Sequence, residues 1–494
     1  MAPPPRWPGP LSAGVAQLCE RLATRVGQRT AAELREVALR LAAPLQVAVA
    51  GRVSSGKSTL VNALIGRRVA PTDVGECTRL VTRFCYGTPD RIEVVFRAGR
   101  RRALPFDAAG MIPSTLGVDL AEVSHLEAYL TNAVLRDLTV VDTPGLGSPD
   151  SASAASNAAV TEAEAVLYVL TQAVRADDAQ VLTAFTAATA ARRLGPGNAI
   201  AVLNKADTVP PESVPGSEGD VAKAAALLAA RQAEVLGNRV TDVLPMTGLL
   251  AETAETGVFT TADAEALAEL ARTDPATRTA MLLSADLFTT LSCPVPAGTR
   301  TRLLERLDLY GVSRALAALD ADPQLRAGAL RLLLREASGL DQLQSRLSAV
   351  FRARADGIKA AAALTSITAV ARACADRRER ALVQDAVEVL RTRPEAHQLR
   401  LIEALTQVST GSVPLPADLA DEVLRVGGSG SAAEQLGLLG RPRAELAAHA
   451  LERAGWWRAF AGFGATPAQA RVAHVVHRAY FLLWQQLRER GDRV

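Results

Sequence analysis

From Leu11 to Ala43 apolar residues recur at three- and four-residue spacing, which predicts one or two amphipathic helices. The pattern then switches. LQVAVA, from Leu45 to Ala50, is a short apolar run rich in β-branched residues and reads as a buried strand. Similar runs follow as RIEVVF (Arg91 to Phe96), LTVVD (Leu138 to Asp142), AVLYVL (Ala165 to Leu170) and AIAVLNK (Ala199 to Lys205). VLPMT, from Val243 to Thr247, is expected to end the sheet. Helical segments alternate with most of these strands, so a mainly parallel α/β sheet is predicted. After about Glu255 no strand pattern remains. Leu340, Leu343, Leu347 and Val350 form an apolar stripe suited to helix pairing, and Pro294, Pro296, Pro323, Pro394 and Pro467 divide this half into helices. Gly427 to Ser431, GGSGS, reads as a loop between two of them. The predicted fold class is therefore an α/β domain inserted in an all-α helical bundle, with divisions at 1–45, 46–255 and 256–494. The N-terminal helices need a covering surface. The C-terminal helices, ending in RVAHVVHRAYFLLWQQLRER, are expected to supply it, with the last helix returning to the start of the chain.

Composition narrows the class. Hydrophobic residues make up 49% of 494, enough for large cores, while aromatics are only 4%. Lys and Arg number 55 against 52 Asp and Glu, a balance that argues against nucleic acid as a partner. Arg97, Arg100, Arg101 and Arg102 flank Gly99 and read as the tip of a solvated hairpin. Five cysteines at wide, irregular spacing fit neither a disulfide framework nor a zinc site, which places the chain in a reducing compartment. The N-terminal stretch lacks the pattern of a signal peptide, and no run of about 18 apolar residues occurs, so a cytoplasmic, soluble or peripheral protein is expected.

Gly51, Gly56, Lys57 and Ser58 satisfy G-x-x-x-x-G-K-[ST] between a strand and a helix. Glycines there let backbone N–H groups of residues such as Ser54, Ser55 and Thr59 converge on phosphate oxygens at the positive end of the helix. Lys57 is expected to reach the β and γ oxygens, and the Ser58 hydroxyl to ligate Mg²⁺. Asp142-Thr143-Pro144-Gly145 ends a strand, with Asp142 acting on the metal through water and Gly145 N–H sensing the γ-phosphate. Asn204-Lys205-Ala206-Asp207 ends a later one. Asp207 can accept from N1–H and N2–H₂ of guanine, donors that adenine lacks, so the three motifs in order point to GTP and GDP. Thr247-Gly248 is placed to offer backbone contacts to the guanine carbonyl. Thr72, Thr78 and Thr82 are candidates for the threonine that completes the Mg²⁺ shell and orients water, and Thr78 is the choice. Cys77 reads as a bystander.

GRVSSGKSTLVNALIG, APTDVGECTRLVT, VVDTPG and LNKAD, enclosed by helices, together resemble the bacterial dynamin-like proteins. The likeness is strongest to the actinobacterial isoniazid-inducible group, through LAAPLQVAVAG, VLPMTGLLA, LLERLDLYGV and RVGGSGSAAEQLGL. That resemblance implies a Mg²⁺-dependent GTPase head on a helical neck and stalk. It also implies GTP-dependent pairing of heads, contact with anionic membrane lipid at the inner face of the cell membrane, and remodelling of that membrane. Hetero-assembly with a paralogous dynamin-like protein is implied as well. One departure stands out: many dynamins carry glutamine in the phosphate loop where Val53 stands here, while Ser54 keeps the family serine. Arg52 is a nearby alternative for catalysis, with simple surface exposure as the plainer reading.

Lipid contact is the least marked feature. Gly311 to Gly339 reads as two helices around a turn at Asp320 to Pro323, with Leu316 and Leu319 either near lipid or in a bundle core. Trp456, Trp457, Phe460 and Phe463 are read as packing rather than anchoring. An RNA-associated GTPase would append a basic module, and none is visible after Glu255. A GTP-regulated scaffold partner of a membrane-anchored dynamin-like protein is the other reading.

Overall fold

The structure, a computed structural model, describes residues 9–71, 77–145, 150–191, 198–352, 355–392, 396–409, 411–428 and 431–489. Their contacts divide the chain into two compact units. One contains Gln46–Val181 and Ala199–Arg346; the other contains Met1–Leu45, Leu182–Asn198 and Leu347–Val494. The first thus interrupts the second in sequence.

Among the described residues the first unit is built on nine strands: β1 (Leu45–Gly51), β2 (Thr82–Tyr86), β3 (Arg91–Phe96), β4 (Arg101–Leu104), β5 (Val123–Leu130), β6 (Leu138–Asp142), β7 (Ala165–Thr171), β8 (Ala199–Asn204) and β9 (Val243–Met246). They lie in the order β4-β3-β5-β2-β6-β1-β7-β8-β9. The pairs β1/β7, β7/β8 and β8/β9 are parallel, while β2/β6 and the β3/β4 hairpin are antiparallel. β1, β7 and β8 are buried almost throughout, as their continuous apolar runs require of strands covered on both faces. β9 is an edge, as its sequence suggested. β2 and β5 were not expected. From His125 to Leu130 half-buried and buried residues of VSHLEAYL alternate, and the outer set is held by charge. Glu127 accepts from Arg101 at 2.6 Å and from the Tyr129 hydroxyl at 2.6 Å, and Arg91 stacks over Tyr129. The arginine-rich segment is the expected hairpin, with Gly99 at φ 80° in its turn.

The expected border after Glu255 does not coincide with the division into units. Helices from Thr261 to Ala337 share one core with the helix Gly248–Glu255: Leu250 clusters with Leu267, Phe288, Leu307, Val312 and Leu334. The contact is close, since a Cβ on Gly311 would meet Leu250 Cδ2 at 2.4 Å. Burying side chains of this size contributes about 1.5–3 kcal/mol each, which ties these helices to the helix Gly248–Glu255 that follows β9. Glu252, itself buried, accepts from Asn62 at 2.8 Å and thereby fixes the same helix to the one that follows the phosphate loop. Leu316 and Leu319 belong to this core, so the lipid-facing reading of them is set aside.

In the second unit the N-terminal helices Pro10–Ala23 and Gln28–Ala42 are covered by Ala355–Ala373 and Arg377–Thr392 rather than by the final helix. Asp356 explains half of this: its carboxylate accepts from Leu11 N–H at 3.0 Å and Ser12 N–H at 2.7 Å, capping the first helix. Glu379 accepts from Gly27 N–H at 2.8 Å and the Thr30 hydroxyl at 2.9 Å at the start of the second. The final helix, Pro467–Glu489, packs on Arg443–Gly462, His397–Ser409 and Ala417–Val426. Glu422 is the polar centre there, accepting from Arg453, Trp457 and Tyr480. Trp457 is fully buried, as the packing reading requires; Trp456 and Phe463 are exposed. Among the described residues no helix is long and apolar enough to cross a membrane.

Candidate functional site

β1 ends at Gly51 and the following helix starts at Lys57, so the five residues between must turn sharply. Gly51 (φ 150°), Ser54 (φ 60°) and Gly56 (φ 88°) supply the positive φ values. Close approach matters as much as the dihedrals: a Cβ on Gly51 would meet the Val169 carbonyl at 2.3 Å, and one on Gly56 would meet Asn204 Nδ2 at 2.2 Å. Lys57 lies folded over this loop, its ammonium donating to the Arg52 carbonyl at 2.8 Å. Burial lowers its pKa, partly opposed by the Asp142 charge. Ser58 donates to Asp142 Oδ2 at 3.0 Å. Burial raises the Asp142 carboxyl to about 6, against the pull of Lys57 and the Ser58 bond.

Among the described residues two buried polar atoms of this site have no hydrogen-bond partner, Ser55 Oγ and Asp142 Oδ1. An orphaned carboxylate oxygen beside a serine hydroxyl and a lysine is a donor set suited to a small hard cation and the oxyanions around it. The residues present therefore fit Mg²⁺ with phosphate. Gly145 is brought against the loop: a Cβ there would lie 2.6 Å from Val53 Cγ2 and 2.8 Å from Val53 N. Thr143 holds the segment to β1 by donating to the Val49 carbonyl at 2.9 Å.

At the other end of the site Asn204 is a cross-brace. Its Nδ2 donates to the Ser55 carbonyl at 2.8 Å and its Oδ1 accepts from Gly248 N–H at 2.9 Å. Lys205 takes φ 57° and leaves its side chain exposed. Asp207 is half-buried; burial raises its pKa, with Asp308 adding to the rise and a bond from the Thr247 side chain opposing it. The turn at 247–248 differs from expectation. Thr247 N–H donates to the Ser338 carbonyl at 2.9 Å and Gly248 N–H to Asn204, so both amides already have acceptors. Thr247 instead addresses the site through its side chain, on Asp207.

The remaining expected residues fall as follows. Thr78 sits in the short turn Cys77–Arg79 ahead of β2, and Thr59 in the first turn of the helix after the loop. Thr82 is a buried residue of β2 in register with Asp142, a strand position rather than a switch position. Thr72 lies outside the described residues. Arg52 is paired with Asp177 at 3.1 Å, and Val53 is 50% exposed. Sequence reasoning missed the bracing function of Asn204 and the Ser338 contact, which depend on register and on a helix end far downstream of the last strand.

Residues 47–206 match the Dynamin family. Over 442 residues the chain is 33% identical to the isoniazid-induced protein IniC of Mycobacterium tuberculosis, covering 86% of this chain and 87% of that protein. The chain belongs to the dynamin family. A bacterial dynamin-like protein of Nostoc punctiforme is 28% identical over 138 residues, 25% of this chain and 20% of that protein. Among solved structures, an oligomerised bacterial dynamin pair aligns with 97% of this chain and 91% of its own, at 11% identity and a TM-score of 0.34. The family match over residues 47–206 marks the dynamin-type GTPase domain of this chain, and the geometry above is the candidate nucleotide site within it.

Proposed function

We propose that the chain binds GTP with Mg²⁺ at the loop 51–59, hydrolyses it, and couples the cycle to pairing of GTPase heads and to remodelling of an anionic membrane. The observation that carries the nucleotide part is the orphaned Asp142 Oδ1 beside Ser58 and Lys57, under a loop whose glycines leave room only for backbone. Lys57 would leave the Arg52 carbonyl for phosphate oxygens, exchanging a neutral acceptor for an anionic one. Gly145, lying on Val53, would offer its N–H where the γ-phosphate ends. Ser58, Asp142 and, from its turn, Thr78 would hold the cation, which when bound neutralises charge on the transferring phosphoryl group. Asp207 would read guanine, steadied by Thr247.

The membrane part rests on family membership. Peripheral contact and a partner dynamin-like protein would be its routes to the surface. Val53, half-exposed where many relatives have glutamine, favours a second reading in which basal turnover is slow and the chain is a GTP-regulated scaffold.

Two measurements decide. Calorimetry with magnesium should show GTP and GDP binding and none with ATP, and Lys57→Ala should abolish it while leaving the melting transition in place. Sedimentation with anionic liposomes, with and without a non-hydrolysable GTP analogue, should show nucleotide-dependent binding. A chain that binds GTP but neither binds nor alters liposomes, even with a dynamin-like partner added, leaves the scaffold reading.

A further inference from the structure

The nucleotide site has a wall that no motif announces. Asp207 and Thr247 line a cavity of about 470 Å³ whose opposite side comes from the helical segment after the sheet: Tyr310 from the helix Ala297–Ala321, and Leu333 and Ser338 from the next helix and its end. That volume is in the range of small-ligand sites. The rest of its lining mixes apolar residues, among them Val221 and Met246, with the charged Asp220, Arg314 and Glu336. A planar heterocycle with polar edges matches such a space: face against the Tyr310 ring and hydrocarbon, edges toward carboxylate and the other charged groups.

Backbone geometry aims the ring. The helix Ala297–Ala321 is broken at Asp308, which adopts φ 53° and ψ 178°, a region that is essentially glycine's. The Asp308 carboxylate closes on its own neighbour, accepting from Leu309 N–H at 2.6 Å. A non-glycine residue persists there only where its surroundings over-determine it, and Leu307 and Val312 on either side are fully buried. Two residues after the break comes Tyr310, half-buried in the cavity wall. Burial also raises its phenol pKa, consistent with a ring partly withdrawn from water.

The spacing suits a nucleotide. Asn204 joins the phosphate loop at Ser55 to Gly248, next to Thr247. One side chain therefore separates the phosphate end of the site from the cavity that Asp207 and Tyr310 share. Resting on the guanine-nucleotide reading above, we propose that Tyr310 is a base-stacking residue: its ring covers one face of the guanine whose Watson–Crick edge Asp207 accepts. Base stacking on an aromatic ring is sequence-tolerant and strong enough to show in affinity.

The test uses the full chain and GDP binding by calorimetry. Tyr310→Leu removes the ring and should weaken GDP about tenfold, the order expected for loss of one stacked aromatic. Tyr310→Phe keeps the ring and should bind as wild type. Tyr310→Trp should show indole emission quenched by added GDP. Asp207→Asn should shift preference from guanine to xanthine nucleotide, and Tyr310→Leu in that background should cost the same factor with XDP. Melting curves report folding, and tripolyphosphate, which has no base, reports the phosphate loop. Unchanged GDP affinity in folded Tyr310→Leu overturns the proposal. So does a loss that Phe does not rescue, or one equally large for tripolyphosphate, because either would make Tyr310 a packing residue. Wild type binding GDP and ADP alike overturns the guanine reading instead, and the Leu-against-Phe contrast then decides stacking with either purine. No nucleotide binding by wild type overturns both.

Discussion

Asn204→Ala is the most informative perturbation of the site, because one side chain there satisfies two backbone groups from different elements. Removing it strands the Ser55 carbonyl and the Gly248 N–H, both at buried bonds of 2.8 and 2.9 Å. An abandoned buried backbone group costs about 1–3 kcal/mol, so the pair amounts to roughly 2–6 kcal/mol if no water enters. Water does have a route, since truncation opens the space now filled next to Gly56, and the lower half of that range is expected. The effect is local, so a global melting curve is a poor gauge for a chain of two units. Amide hydrogen exchange is better. A loss of about 2 kcal/mol at Gly248 speeds exchange through local opening about thirtyfold, and the amides of the phosphate loop should follow. GDP affinity should fall by at least tenfold, because the loop must be re-ordered on binding. Protection at Gly248 within threefold of wild type, together with unchanged GDP affinity, would refute the idea that Asn204 braces the site.

Other expectations follow from single contacts. Asp142 has its folded pKa raised to about 6 from 3.8, so the ionised group costs stability as pH rises from about 4 through about 6, and a cation competes with the proton below about 6. Half-saturation by Mn²⁺ in the presence of GDP should therefore weaken as pH falls below 6, approaching tenfold per unit, and Asp142→Asn should weaken it and flatten the dependence. Gly51→Ala places a Cβ 2.3 Å from the Val169 backbone at φ 150°, and should destabilise the sheet unit by about 2–4 kcal/mol in urea titrations. Burial works against the charge on Glu422, but bonds from Arg453, Tyr480 and Trp457 outweigh it and hold its pKa below the usual 4.5. Its contribution is present above that value and lost as pH falls through the lower folded one. The helical unit should thus loosen in acid, read by tryptophan emission, and Glu422→Gln should shrink that loss. In a double-mutant cycle Asn204→Ala and Gly339→Ala should couple by more than about 0.5 kcal/mol in GDP affinity; additivity would mean that the turn at 247–248 is not shared.

The phosphate loop, the aspartate at the end of β6 and the Asn-Lys-Ala-Asp run were legible because each is a local solution to a local demand: glycine where φ must be positive, carboxylate where a strand ends. The buried strands β1, β7 and β8 were legible for a similar reason, since a continuous apolar run has few other uses. β5 was not, because His125, Glu127 and Tyr129 look like loop residues until Arg101 and Arg91 of neighbouring strands meet them. The partner of the N-terminal helices was misread in favour of the strongly patterned last helix. The true cover, Ala355–Ala373, is rich in alanine with its few polar residues scattered around it and so shows little amphipathic signal, while its decisive residue is a single aspartate, Asp356. Where one helix caps another across more than 300 residues, no window of sequence holds both ends of the bond.

The domain border was misplaced for a related reason, and its correction changes how the site works. A composition shift after Glu255 marks where strands stop, not where packing stops. Thr247 N–H gives its bond to Ser338, and Gly339 follows at φ 79° with no room for a Cβ, which would stand 2.6 Å from the Pro245 carbonyl. Adjacent amides of one turn are thus held from two directions, Gly248 by a side chain that also grips the phosphate loop and Thr247 by the end of a helix. Phosphate and base ends of the site therefore share a turn with the helical segment. On the proposed reading of Asp207, any movement of that turn on nucleotide binding would strain its bonds to Asn204 or Ser338. The helices up to Arg346 share a compact unit, and this turn, with the candidate nucleotide site.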